Sequence, residues 1–237
     1  MADTLPPPLR GDSPPPAEDL VTADPERSLA VTYAPVAARA GLAALFALDE
    51  KLGGIVASTS EPMIGLMRLT WWRDQIMALG QGPAAAEPLL GHLAADVIAR
   101  GAEPATIAAM EDGWAALLDG PMDAEAIARH GQARGGHLFV AAGAVLKAET
   151  DRLHAAGQGW ALADLAHRHS DAEVRAEAAR QARAALAPLA GTRWARAARP
   201  LGALAVLAAR DAADPQPRRQ ASPGRLFRML ALRLTGR

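Results

Sequence analysis

The chain contains no cysteine, which excludes disulfide bonds, thiolate metal sites and cysteine nucleophiles. Aromatic residues make up only 4% of its 237 residues, whereas apolar residues as a whole make up 50%. Alanine supplies much of that apolar content, and its small side chain lets helices approach closely. The composition therefore predicts one sizeable all-α domain whose core has few bulky side chains.

Long apolar runs are also lacking. The charge-free stretch 75–86 is shorter than the roughly 18 apolar residues that a membrane-spanning helix needs. The first five residues include no basic region and start no apolar run, so we expect no signal peptide. These features predict a cytoplasmic protein that is at most peripheral to the inner face of a membrane.

Two runs of three prolines lie near the N-terminus, with acidic residues between and after them. This composition predicts a disordered, partly extended tail over residues 1–23. Asp24 precedes Pro25 and Glu26, a pattern typical of a capped helix start. We therefore predict a folded helical domain over residues 24–237.

The most informative segment, residues 61–74, reads Glu-Pro-Met-Ile-Gly-Leu-Met-Arg-Leu-Thr-Trp-Trp-Arg-Asp. Apolar residues recur there and just beyond at three- and four-residue steps: Leu66, Leu69, Trp72, Ile76 and Leu79. This spacing predicts a helix with one buried face, which Trp71 should widen beside Met63 and Met67. Arg68 lies one turn before both indoles. Arg68 and Trp72 are therefore candidate ligand-binding residues, although Arg68 packing on its own helix is the simpler interpretation.

The same segment resembles the corresponding helix of the squalene/phytoene synthase family, whose members condense two prenyl diphosphates head to head. The resemblance extends from about residue 28 to the C-terminus. It implies an isoprenoid (terpenoid) synthase-like helical bundle with a central cavity. In that family, two aspartate-rich motifs hold Mg²⁺ against a diphosphate, because hard oxygen ligands suit a hard dication.

The first aspartate-rich motif is degenerate here. The pattern at 44–48 places the family's aspartates at Gly53, Gly54 and Ala57, none of which can bind a metal. Asp49 and Glu50 lie about one turn earlier and face different directions. We expect them to form an exposed charged patch, with a displaced metal site as the alternative.

The second motif is degenerate as well. The resemblance places Asp164, His167 and Arg168 at polar positions of this motif, with Arg168 where a metal-binding aspartate would stand. Arg168 is one helical turn from Asp164 and should pair with it. His167 and His169 would project to nearly opposite sides of a helix, which makes them a poor chelate. We therefore predict no metal and no cofactor, with Mg²⁺ required only if the protein is an active enzyme.

A glycine-rich segment at 129–139 corresponds to a helix break that borders the substrate cavity in the family. His130 replaces a family tyrosine, and Gly136 matches a family glycine, so both are candidate ligand-binding residues. Two glycines within a helix cost about 2 kcal/mol relative to alanine, which predicts a kink or a close helix contact. Tight helix packing without a ligand is the alternative interpretation.

Charge is distributed unevenly. Glu111 and Asp112 should lie on a solvated face. Residues 190–237 contain ten arginines and two aspartates, a net charge of +8, whereas the whole chain carries −1. The segment 222–237 forms a basic amphipathic helix that could dock on the bundle or contact an anionic membrane. Nucleic acid is not expected, because no aromatic platform or known nucleic-acid motif accompanies the arginines.

The resemblance implies the fold but not the chemistry, because both metal motifs have lost their ligands. The pattern is similar to a divergent branch typified by the mitochondrial complex I assembly factor. The leading expectation is a non-catalytic protein that binds a prenyl lipid, a prenyl diphosphate or a protein partner, within respiratory complex assembly for example. The alternatives are an active prenyl transferase with atypical metal ligands and a structural helical adaptor.

Overall fold

The computed structural model describes residues 20, 22–79, 81, 86–149, 151–214, 216 and 218–237. All regular structure in these residues is helical, so the predicted all-α, isoprenoid synthase-like fold is confirmed. The helices are α1 Pro25–Tyr33, α2 Val36–Ser58, α3 Pro62–Ala78, α4 Pro88–His92, α5 Pro104–Ala108, α6 Met110–Ala115, α7 Ala124–His130, α8 His137–Leu146, α9 Leu153–Arg168, α10 Ala172–Leu186, α11 Arg199–Ala213 and α12 Pro223–Thr235.

Helix α1 begins as the sequence predicts, because the Asp24 carboxylate accepts hydrogen bonds from the backbone amides of Glu26 and Arg27. Most of the predicted N-terminal tail, residues 1–19 and 21, lies outside the described residues. Leu20 packs against the core, and the buried Thr22 hydroxyl donates to Glu50. The boundary between the tail and the domain stays a prediction.

Helix α2 runs through the centre of the bundle and packs against α1, α3 and α8. It supplies several of the largest fully buried side chains, including Leu42, Phe46 and Leu52. Helix α9 packs against α10, α11 and a π-helical turn at Gly131–Gly136. Helices α2 and α9 therefore enclose the middle of the molecule, and their inward faces form its core.

Helix α3 buries Leu69, Trp72 and Ile76, as the periodicity predicts. The expectation that Trp71 widens this buried face is wrong. Met63, Met67 and Trp71 are 68%, 67% and 43% exposed. The reason is that α2, α5 and α6 cover only the side of α3 that carries Trp72.

The expectation that Glu111 lies on a solvated face is also wrong. Glu111 is buried, and Arg73 lies 4.0 Å from its carboxylate, whereas the neighbouring Asp112 is exposed. Burial raises the pKa of Glu111, an effect that Arg73 only partly opposes. Neighbours on a helix point about 100° apart, so one of two adjacent acids can face the core.

Helix α12 docks on α11 through Met229 and Leu232. Its helical spacing suggests docking through Leu226, Phe227, Leu230 and Leu234 instead, but these side chains are 36–72% exposed. Arg225 sets this rotation, because its guanidinium pairs with Glu26 at 2.6 Å and with the Asp211 carboxylate. Over the residues that are described, no helix combines the length with the apolar character needed to cross a bilayer.

Candidate functional site

A cavity of about 550 Å³ opens between α2 and the C-terminal end of α9. The positions of the degenerate first motif, Gly53, Gly54 and Ala57, line one side of it. Charged and aromatic side chains form the rest of the lining, among them Arg27, Asp49, Glu50, Trp114, Arg134, Asp164 and Arg168. The first-motif positions named by the resemblance thus lie at a cavity where charges of both signs meet.

Arg134 joins the two sides of the cavity. Its Nε and Nη2 donate to the two carboxylate oxygens of Asp49, at 2.9 and 3.0 Å. Its Nη1 donates to Oδ2 of Asp164 at 3.0 Å. The guanidinium is almost fully buried, and the two carboxylates outweigh the cost of burial, so the pKa of Arg134 is raised. One cation therefore bridges a carboxylate on α2 and a carboxylate on α9.

Asp49 is fully buried, so its expected place in an exposed patch is wrong. It lies one turn from Leu45 and from Leu52, and it shares their inward face. Arg27 Nη1 lies 3.0 Å from the Asp49 carboxylate, and the Trp114 indole N–H donates to it at 3.1 Å. Burial alone would raise the pKa of Asp49, but the guanidinium groups of Arg134 and Arg27 outweigh burial and lower it.

Asp164 forms the predicted ion pair with Arg168, whose Nε donates to Oδ1 at 2.8 Å. Arg134 and Arg218 pair with the same carboxylate. Burial alone would raise the pKa of Asp164, but the surrounding arginines hold it far below its ordinary value. Asp164 is therefore an anion near neutral pH.

His130 lies behind Arg134 and does not line the cavity. Its Nδ1–H donates to the Gly113 carbonyl at 2.6 Å, which leaves Nε2 to accept from Arg134 Nη1 at 3.4 Å. Burial and the Arg134 charge lower the pKa of His130 to about 4, so the ring is neutral near pH 7. His130 therefore orients Arg134, and its role in ligand binding stays a prediction.

The glycine-rich break makes the close helix contact that the sequence predicts. A Cβ at Gly135 would overlap the carbonyl oxygen of Gly157 on α9, so the two backbones touch. Gly136 faces His154 instead of the cavity. The close contact holds the π-helical turn against α9, which places Arg134 within reach of Asp164.

Two other predicted site residues lie elsewhere. Arg68 is exposed on α3, and Trp72 is buried in the core with Lys51 Nζ 5.6 Å from its ring centroid. The structure does not bring either residue to the cavity. His167 is also turned away, since its Nε2 donates to the Asp211 carbonyl at 3.0 Å.

A comparison with protein-family models matches residues 20–156 to the squalene/phytoene synthase family. The chain belongs to this family. The match covers more than half of the chain and ends within α9, before Asp164. Searches of curated proteins and of solved structures give no significant match.

The magnesium chemistry that the squalene/phytoene synthase resemblance implies does not fit these residues. Gly53, Gly54 and Ala57 carry no ligand atoms, and Asp49 and Asp164 already hold guanidinium groups. Across the described part of the chain, no group of three or more carboxylate or imidazole side chains is arranged to hold a metal ion. Arg134 therefore pairs with two carboxylates that face the cavity from α2 and α9.

Sequence reasoning missed Arg27, Trp114, Arg134 and Arg218. The only available signal was the position of Arg134, four residues after His130 in a segment otherwise rich in small residues. That pattern marks a close helix contact but does not identify the carboxylates that the arginine meets. These partners lie 85 and 30 residues away in the chain.

Proposed function

We propose that this chain is a non-catalytic squalene/phytoene synthase family protein that binds a prenyl lipid with an anionic head group. The observation that carries the proposal is the bridge from Arg134 to Asp49 and Asp164. A divalent cation would have to displace a buried guanidinium that makes three charge-assisted hydrogen bonds. Such a displacement is unfavourable, because it would leave Arg134 buried without its partners.

Condensation of prenyl diphosphates requires an allylic diphosphate to ionise. The departing pyrophosphate develops negative charge that must be stabilised more strongly in the transition state than in the substrate. In this chain the arginines around Asp49 and Asp164 are already paired with carboxylates. Their remaining N–H groups can hold a phosphate, but they offer little additional stabilisation as negative charge develops on a leaving group. We infer that a bound diphosphate stays intact.

The anionic head group would lie near Arg27 and Arg168. Arg27 is 4% exposed and lines the cavity. Its Nη1 forms an ion pair with Asp49 at 3.0 Å, but neither Nε nor Nη1 has the geometry of a hydrogen bond to the described residues, so both N–H groups can still donate to a phosphate. Arg168 lies at the opening, with a side chain that is 61% exposed. Guanidinium groups bind phosphate oxygens through paired hydrogen bonds, so these two side chains suit a phosphate or diphosphate.

The apolar chain of the lipid would lie against α2. Gly53, Gly54, Val56 and Ala57 line this side. The space beside Gly54 is open, whereas the Trp114 ring packs against Gly53, so an apolar ligand would lie along Gly54 and the indole. The volume of about 550 Å³ falls within the range typical of small-molecule sites. The residues that fail as metal ligands therefore form the apolar side of the proposed site.

The test measures binding and turnover separately. Purified protein is titrated with farnesyl diphosphate and, separately, with geranylgeranyl diphosphate, each in the presence of Mg²⁺ and in the presence of a chelator, and pyrophosphate release is followed in parallel. We expect similar affinity in both conditions, no pyrophosphate release, and binding weakened about ten-fold in an Arg168→Ala variant. Met67→Ala, an exposed change on α3, is the matched control and should bind as the wild type does.

Two outcomes would contradict the proposal. Squalene or phytoene formation that depends on Mg²⁺ would establish the alternative, an active transferase with atypical ligands. Failure of farnesyl and geranylgeranyl diphosphate to bind, with the fold intact, would eliminate the lipid-binding function.

A second candidate function is docking of a protein partner, the role that resemblance to the complex I assembly branch suggests. The observation that favours it is the exposed row of Met63, Met67 and Trp71 on α3. In a strain that lacks this protein, the wild type should restore complex I activity and a Met67→Ser, Trp71→Ser variant should not. Unchanged complex I activity in the deletion strain would remove this function.

A further inference from the structure

Helix α12 has two apolar faces on opposite sides. The docked face carries Met229 and Leu232, which are buried. The outward face carries Phe227, Leu230 and Leu234, which are 72%, 43% and 68% exposed. At about 100° per residue, the centres of the two faces lie close to 180° apart. Among the described residues, the outward face is therefore largely exposed to solvent.

The rotation of α12 is fixed at both ends. Near its start, Arg225 pairs with Glu26 and Asp211. After its end, the Gly236 carbonyl accepts a hydrogen bond from the Trp194 amide at 2.8 Å. Because both ends are held, the helix cannot turn to bury Phe227 and Leu234 without losing these contacts. The exposed apolar face is thus a stable feature of the folded chain.

Arginines border the outward face on both sides. Arg228 and Arg233 are exposed, and neither has a carboxylate within ion-pair distance among the residues that the structure describes. The Arg233 guanidinium stacks on Tyr33 at 4.5 Å from the ring centroid. Two further exposed arginines, Arg219 and Arg237, lie just before and just after the helix. The outward face therefore combines apolar side chains with unneutralised positive charge.

We propose that the outward face of α12 docks on an anionic membrane surface. In an interfacial helix, apolar side chains enter the boundary between head groups and acyl chains, while arginines stay at the level of the lipid phosphates. The arrangement on α12 meets both requirements. A second copy of the chain is a poorer occupant, because the +8 charge of residues 190–237 would oppose a like charge.

The experiment uses the full chain and vesicles of two compositions, pure phosphatidylcholine and an equal mixture of phosphatidylcholine and phosphatidylglycerol. Cosedimentation should show binding to the mixed vesicles only, and this binding should weaken when salt is raised to about 0.5 M. The role of α12 is tested with point variants. Deleting residues 222–237 would be less informative, because it would also remove Met229 and Leu232 from the core.

A Phe227→Ser, Leu234→Ser variant should bind the mixed vesicles at least about ten-fold more weakly, since two apolar insertions are lost. Arg228→Gln should weaken binding about five-fold. The matched control is Met63→Ser, Met67→Ser on α3, which removes two side chains of similar exposure and should leave vesicle binding unchanged.

Three outcomes would overturn the proposal. They are equal binding by the wild type and the Phe227→Ser, Leu234→Ser variant, no binding to the mixed vesicles, and loss of binding in the α3 control. A wild-type dimer in sedimentation that becomes monomeric in the Phe227→Ser, Leu234→Ser variant would also overturn it and assign the outward face to a second copy.

Discussion

The ion cluster of Arg134, Asp49 and Asp164 and the outward face of α12 place charge and apolar surface in opposite environments. In the cluster, charges are buried and each has a partner at hydrogen-bond distance. On α12, the apolar side chains of Phe227 and Leu234 are mostly exposed to water. Buried charges need compensation for the protein to fold, whereas exposed apolar groups do not. The cluster is therefore part of the stability of the fold, and the outward face remains available for binding.

The strongest test of this contrast is Arg134→Met. It leaves Asp49 and Asp164 buried beside each other without their shared partner, and we expect the free energy of unfolding to fall by about 3–5 kcal/mol. Urea denaturation measures the change. An Arg134→Met, Asp49→Asn, Asp164→Asn variant is the control and should recover part of the loss. If Arg134→Met alone unfolds at the wild-type urea concentration, the cluster does not stabilise the fold.

The two faces of α12 allow a matched comparison between adjacent residues. Met229→Ala removes a fully buried side chain and should cost about 2–5 kcal/mol. Leu230→Ala changes a side chain that is 43% exposed and should shift stability by less than about 0.5 kcal/mol. Thermal unfolding of the two variants checks both values. Equal losses would mean that α12 does not hold the observed rotation in solution.

His130, which lies next to Arg134 in the buried ion cluster, should make the stability of the protein depend on pH. Its pKa is about 4 in the folded protein and near 6.5 in an unfolded chain. Between these values the unfolded state binds more protons, so the free energy of unfolding should fall as pH is lowered, by at most about 3 kcal/mol. Urea denaturation at several pH values measures the slope. His130→Gln should flatten it, and an unchanged slope in that variant would contradict the assignment.

Sequence reasoning succeeded where the relevant residues lie within one or two helical turns of each other. The cap of α1, the buried side of α3 and the pair of Asp164 with Arg168 are such cases. It failed for the burial of Asp49 and Glu111, because a local pattern of acidic residues does not show which helix packs over them. The prediction that Met63, Met67 and Trp71 on α3 are buried was wrong for the same reason.

The candidate site was predicted in part. The resemblance led to Gly53, Gly54 and Ala57, which do line the cavity, whereas Arg68 and Trp72 do not. Arg168 was named from the sequence, but Arg27 and Arg134, which also line the cavity, were missed, because arginine is common in this chain and its buried members have no distinctive spacing. Arg134 is distinguished from the many exposed arginines only by features of the folded structure: it lines the cavity, and it lies at hydrogen-bond distance from Asp49 and Asp164.

The sequence by itself determined the all-α fold and the family, since both follow from residue types at short and regular spacings. Only the tertiary structure decided that Arg134 neutralises Asp49 and that Arg225 reaches Glu26, partners that are 85 and 199 residues apart. The physical reason is that a helix fixes the direction of each side chain along its own axis. The rotation of that helix against its neighbours depends on packing and ion pairs contributed by the rest of the chain.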